Sequence, residues 1–141
     1  MSLRATLVGM ALVIAPHAAL AQKVPDALGV EWHGKKPCEN LFEDRQIRVL
    51  RCTFPPGAKH LRHSHPGHLS YLLSGGERRI QDAKGVRTAD IATDSQVNNE
   101  PVAWHELTNV GKTTLRYLII ERKYEPAPKA SPGAAGNAAR H

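Results

Sequence analysis

Apolar and polar residues alternate with period two through the middle of the chain. Gln46 to Phe54 alternates and stops at Pro55-Pro56-Gly57, and His68 to Leu73 runs into the turn Ser74-Gly75-Gly76. Glu77 to Gln81 returns, Asp82 to Gly85 turns again, and Val86 to Ile91 follows. Ala103 to Asn109, the turn Val110-Gly111-Lys112 and Thr113 to Lys123 complete the series. Period two sends successive side chains to opposite faces of a strand. Short strands broken by Gly and Pro turns at this spacing predict an all-β fold, a single antiparallel β-barrel or jelly roll.

Strand parity places individual residues. Ala103, His105 and Leu107 share one predicted face, and Trp104, Glu106 and Thr108 the other, so Glu106 points away from His105. In the last strand Leu115, Tyr117 and Ile119 oppose Arg116, Leu118 and Ile120. Both faces carry apolar residues, which fits a strand between two layers or one covered by a second copy of the chain in a homodimer.

The two ends lack this alternation. Arg4 precedes an uncharged, mostly apolar run from Ala5 to Ala15, and Ala19-Leu20-Ala21 offers small residues at a cleavage site. Residues 1–21 therefore read as a secretory signal peptide cut before Gln22, the apolar run being short for a membrane anchor. The expected location is periplasmic or secreted, with no membrane association after cleavage. Residues 125–141 are rich in Pro, Ala and Gly with no apolar period, and read as a disordered tail. Between them lie an N-terminal arm, residues 22–45, and one domain, residues 46–124.

The formal net charge is +6, but the arginines are dispersed and aromatics make up only 5% of the chain. A nucleic-acid footprint would be clustered on one face, so no nucleic-acid partner is expected. A diffuse positive field favours a small anionic ligand. The two cysteines, Cys38 and Cys52, fit either a disulfide, which oxidising conditions permit, or two buried thiols.

Candidate chemistry lies in the histidines, five of the eight being His60, His63, His65, His68 and His105. Imidazole is a neutral ligand for transition metals near pH 7. His63 and His65, two apart, would share a strand face and grip one ion, whereas His60, an odd number of residues from His63, falls on the opposite face. Tyr71 and Arg51 are candidates for lining the same pocket, and Asn109 for shaping a turn.

The order Gly57, five residues, His63-Ser64-His65 and then Gly75, followed by Pro101, His105 and Asn109, resembles the two motifs of the cupins. The resemblance spans about residues 46–122. It implies a β-barrel holding a divalent metal through His63, His65 and His105. His68 stands where the family places a glutamate ligand, which makes it a candidate fourth ligand. The spacing after His65 is one residue short, and the glycine that follows the proline of the second motif is missing. A ligand set of imidazoles alone leaves a divalent ion its full charge and favours an anionic substrate. Some cupin dioxygenases use such an all-histidine iron site. The resemblance thus implies dioxygenase-type chemistry on a small organic anion, with iron first among the metals and zinc, manganese, nickel or copper as alternatives. The competing expectations are a non-catalytic barrel that binds a small ligand or a metal, and a structural domain with a degenerate site.

Overall fold

The computed structural model describes residues 23–124, and the expected signal peptide and tail lie outside them. Nine strands form: β1 (Cys38–Glu43), β2 (Ile47–Phe54), β3 (Lys59–His65), β4 (His68–Ser74), β5 (Gly76–Asp82), β6 (Gly85–Ile91), β7 (Gln96–Asn99), β8 (Val102–Asn109) and β9 (Leu115–Arg122). They build two antiparallel sheets, ordered β1-β2-β9-β4-β7 and β3-β8-β5-β6. The architecture is therefore jelly-roll-like, the two sheets remaining separate rather than closing into one continuous barrel. No helix occurs among the described residues.

The six strands read from alternation are all present. β9 shows why alternation was informative: Leu115, Tyr117, Ile119 and Glu121 are buried, while the residues between them are more open. Leu50, Cys52 and Phe54 of β2 and Leu72 of β4 meet this face in the core, and Leu107 of β8 joins from the other sheet. On the second face of β9, Leu118 and Ile120 are half-buried.

The segment read as an arm does more than lead into the domain. Its second half is β1, paired along β2 with Cys38 opposite Cys52, and these two cysteines form a disulfide. Its first half lies against β3: Ser64 N–H donates to Pro25 O at 2.8 Å, and Ala27 is fully buried in the core. The bulge between Asn40 and Phe42 sets Leu41 and Phe42 side by side and breaks the alternation of β1, five of whose six residues are exposed, and this concealed its strand character.

Two turns need glycine. Gly75 joins β4 to β5 so closely against the β6–β7 connection that a Cβ there would overlap the Ile91 carbonyl oxygen and crowd Thr93 N. Gly57, after the Pro55-Pro56 stop, has φ of +80°, which L side chains rarely adopt.

Candidate metal centre

Three strands deliver the histidines. β3 carries His60, His63 and His65, the Pro66-Gly67 turn reverses the chain, and β4 opens with His68. β8 crosses beside β3 and sets His105 opposite His63. β9 contributes a fourth group, Glu121, opposite His68 on one side and Arg48 of β2 on the other.

His63, His65 and His105 come together, with one ligand nitrogen of each within 4.8 Å of the others. The Nε2 atoms of His63 and His65 are 3.0 Å apart, and those of His63 and His105 are 2.8 Å apart. Two nitrogens each about 2.1 Å from one ion and about 90° apart would be separated by about 3.0 Å.

The outer ring nitrogens fix the tautomers. His63 Nδ1 donates to Leu61 O at 2.6 Å, and His65 Nδ1 donates to Glu121 Oε1 at 2.7 Å. Each ring then turns an unprotonated Nε2 toward the other, and two lone pairs at that distance repel unless a cation lies between them. A donor set held from behind by a carbonyl and a carboxylate fits a transition metal.

Burial keeps the rings neutral. Desolvation pushes His63 down to about 3, and His65 and His105 to about 2, with the neighbouring imidazoles adding to the shift. At neutral pH these ligands hold no proton that an ion would have to displace.

The two remaining histidines of the cluster take other positions. His68 lies outside the three-nitrogen group, its ring centre 4.6 Å from that of His65 and its Nδ1 donating to Pro66 O at 2.9 Å. It lines the mouth of the site together with His105 and Ser70. His60 is also outside the ligand group, but not on an opposite strand face. It is 2% exposed and stacks on His63 with ring centres 3.5 Å apart, its Nε2 donating to Ala27 O. The parity argument fails because β3 bulges: its register on β8 slips by one residue between His60 and His63, and both intervening residues face outward. A second irregularity, on the β8 side, leaves Ala103 exposed and brings Val102 to the cavity in its place.

Tyr71 and Arg51 do not line the pocket. Tyr71 donates to Asp94 and Arg51 pairs with Glu39, both on the outside. Tyr117 and Arg78 stand in the pocket wall instead. Glu106 points away from His105, toward Arg62 at 3.7 Å. Asn109 is wholly buried and ties the end of β8 to its surroundings, donating to Phe54 O and Thr113 O and accepting from Gly111 N–H.

Glu121, like the wall residues Arg78 and Tyr117, was missed by sequence reasoning. One more step along Leu115, Tyr117, Ile119 reaches it, and a carboxylate on a buried face was the available signal. It is 1% exposed, and Arg48 donates to its Oε2 from Nε at 2.6 Å. Arg48 in turn pairs with Asp26 at 2.8 Å. Desolvation raises the Glu121 pKa, and Arg48 works against that rise. The ligand set itself is neutral, as expected, but a carboxylate lies one hydrogen bond behind it and moderates the charge an ion would present.

Inside the cluster is a chamber of about 30 Å³, room for a single water or ion. It shares His68, Ser70, Arg78 and His105 with an outer cavity of about 280 Å³.

Solved structures with this architecture exist. A cupin domain from Bordetella pertussis Tohama I superposes with a TM-score of 0.59 at 18% identity, covering 62% of this chain and 92% of its own. The chain has the cupin fold. A cupin-like protein from Thermotoga maritima MSB8 matches with a TM-score of 0.51 at 21% identity, over 61% of this chain and 67% of that one. An uncharacterized protein with a double-stranded β-helix domain from Klebsiella pneumoniae gives 0.50 at 18% identity, over 76% and 85%. No known family profile matches the sequence, and no curated protein matches it. These likenesses establish the fold alone.

Proposed function

We propose that this chain is an exported cupin-fold protein that holds one divalent transition metal through His63, His65 and His105 and acts on a small organic anion. The observation that carries this reading is the convergence of the Nε2 atoms, with Leu61 O and Glu121 holding the far side of two rings. Bound there, a divalent ion supplies Lewis acidity toward an anionic group and, where it is redox-active, one-electron chemistry with dioxygen.

The surrounding residues do the rest. Glu121 keeps His65 in one tautomer, and Arg48 and Asp26 hold Glu121 in place. Phe54, Leu107 and Ile119 line the apolar side of the inner chamber. His68 stands at the mouth, where it meets an entering ligand or serves as a fourth ligand. Iron is the first metal to test, with zinc, manganese, nickel and copper beside it, and dioxygenase-type chemistry is the activity that iron would support.

The second reading is a barrel that binds without turnover, and the small inner chamber favours it, since only one water-sized group fits beside the histidines. Oxygen uptake by iron-loaded protein, measured with a panel of small carboxylates, enolates and thiolates, separates the two. Uptake that is lost in His105→Ala supports the enzyme. Saturable binding of the same compounds without uptake supports the binding protein.

A further inference from the structure

The outer cavity carries a cation that the histidine cluster does not use. Arg78 of β5 lines both the inner chamber and the outer cavity. Its Nη1 donates to Tyr117 Oη at 3.2 Å, and its guanidinium carbon lies 5.7 Å from the centre of that ring. Among the described residues no carboxylate pairs with it, whereas Arg48, Arg51, Arg62 and Arg87 each have one. Its Nε is closed off from bulk solvent and donates to nothing, the one side-chain polar atom among the described residues in that condition. Buried donors are rarely left so, and such an exception calls for an explanation.

The rest of the cavity leaves this charge uncompensated. Asp82, its carboxylate, is already engaged by Arg87 at 2.8 Å, and the histidines bring no negative charge. Val97, Val102 and Ile80 supply an apolar wall. Arg78 thus presents to the cavity a guanidinium, the planar fork suited to a carboxylate.

We propose that Arg78 anchors the ligand of this cavity, which is a small monocarboxylate lying along Val97 and Val102 with its other end toward the histidines. This rests on reading the cavity as the ligand site but requires no bound metal. The cavity, about 280 Å³, suits a small ligand.

The test is an NMR titration of the full chain, chelator-treated and metal-loaded, with butyrate and with its neutral isostere butyramide. Butyrate is expected to bind saturably in both forms, and butyramide at least tenfold more weakly. Arg78→Met should lose butyrate affinity by tenfold or more while retaining metal uptake, and Arg78→Lys, with the charge but not the fork, should fall between. Equal binding of the two probes by the unmodified protein, or unchanged butyrate binding in Arg78→Met, overturns the proposal. The probe comparison and Arg78→Lys decide the matter even if Arg78→Met does not fold. Arg78-dependent butyrate binding without metal uptake would leave this inference standing and remove the metal reading. Metal uptake with butyrate binding indifferent to Arg78 would do the reverse.

Discussion

Replacing Glu121 by glutamine tests how the cluster is held. The change preserves shape and removes one charge from a carboxylate that is 1% exposed and bonded to His65 at 2.7 Å and to Arg48 at 2.6 Å. Loss of an outer partner behind a ligating histidine typically costs 10- to 100-fold in metal affinity, about 1.4 to 2.7 kcal/mol. Folding should suffer separately, because Arg48 keeps only Asp26 as a charge partner. One weakened charge-assisted hydrogen bond is worth about 1.5 to 3 kcal/mol, which in a domain this size lowers the melting temperature by several degrees. Metal titration of chelator-treated protein, followed by competition with a chromophoric chelator, measures the first effect, and calorimetric melting of the same samples the second. Glu106→Gln is the control, since Glu106 faces away from the cluster toward Arg62. If Glu121→Gln binds metal within twofold of wild type while melting lower, Glu121 serves the fold alone and the argument for a prepared ligand set fails.

Three further outcomes follow from the same geometry. Acid should destabilise the metal-free protein well above the range of carboxylate titration. Desolvation lowers His60 to about 4 and His63 to about 3, against 6.5 for an open chain, so their contribution is complete above about pH 6.5 and is lost as pH falls toward the folded values, by about 1.4 kcal/mol per pH unit for each histidine. Glu121, raised by burial, acts in the opposite sense and returns part of this, so urea midpoints measured from pH 7.5 to 5 should fall with acid, and a flat or rising profile contradicts neutral burial. Reducing the Cys38–Cys52 bridge, which spans 14 residues, should cost about 3 kcal/mol by loop entropy, seen as a lower melting temperature in dithiothreitol but not in Cys38→Ala/Cys52→Ala, which is already at the lower value. Asn109→Ala removes donors from two backbone carbonyls and an acceptor from Gly111 N–H, and should cost about 2 to 4 kcal/mol in denaturant unfolding, whereas a loss under 1 kcal/mol would show that water replaces the side chain.

The fold was legible wherever alternation was clean. β9 and β2 announce themselves because each buries every second residue, and Gly75 and Gly57 mark turns their neighbours require. β1 and β7, both edge strands, were not legible, because a bulge breaks the alternation of β1 and β7 is four residues long with three of them polar. At the site, His63, His65 and His105 were found through spacing and a family resemblance, and the structure brings their nitrogens together. His60 was misplaced because parity counts residues and a bulge adds one to the count, which no composition of Leu61 and Arg62 reveals. Glu121 was passed over because it lies 56 residues from His65 and in the other sheet, so only the packing of the two sheets makes them neighbours. The wall residues Arg78 and Tyr117 were missed for the same reason, while Tyr71 and Arg51 were favoured for their chemistry alone.

Whether the three imidazoles form a prepared site for one divalent ion is decided by elemental analysis of the full chain as produced by its host. One equivalent of a divalent transition metal per chain is expected, lost in His63→Ala and in His105→Ala while both variants stay folded. Protein that carries no stoichiometric metal and takes up none after chelation and reloading would contradict it.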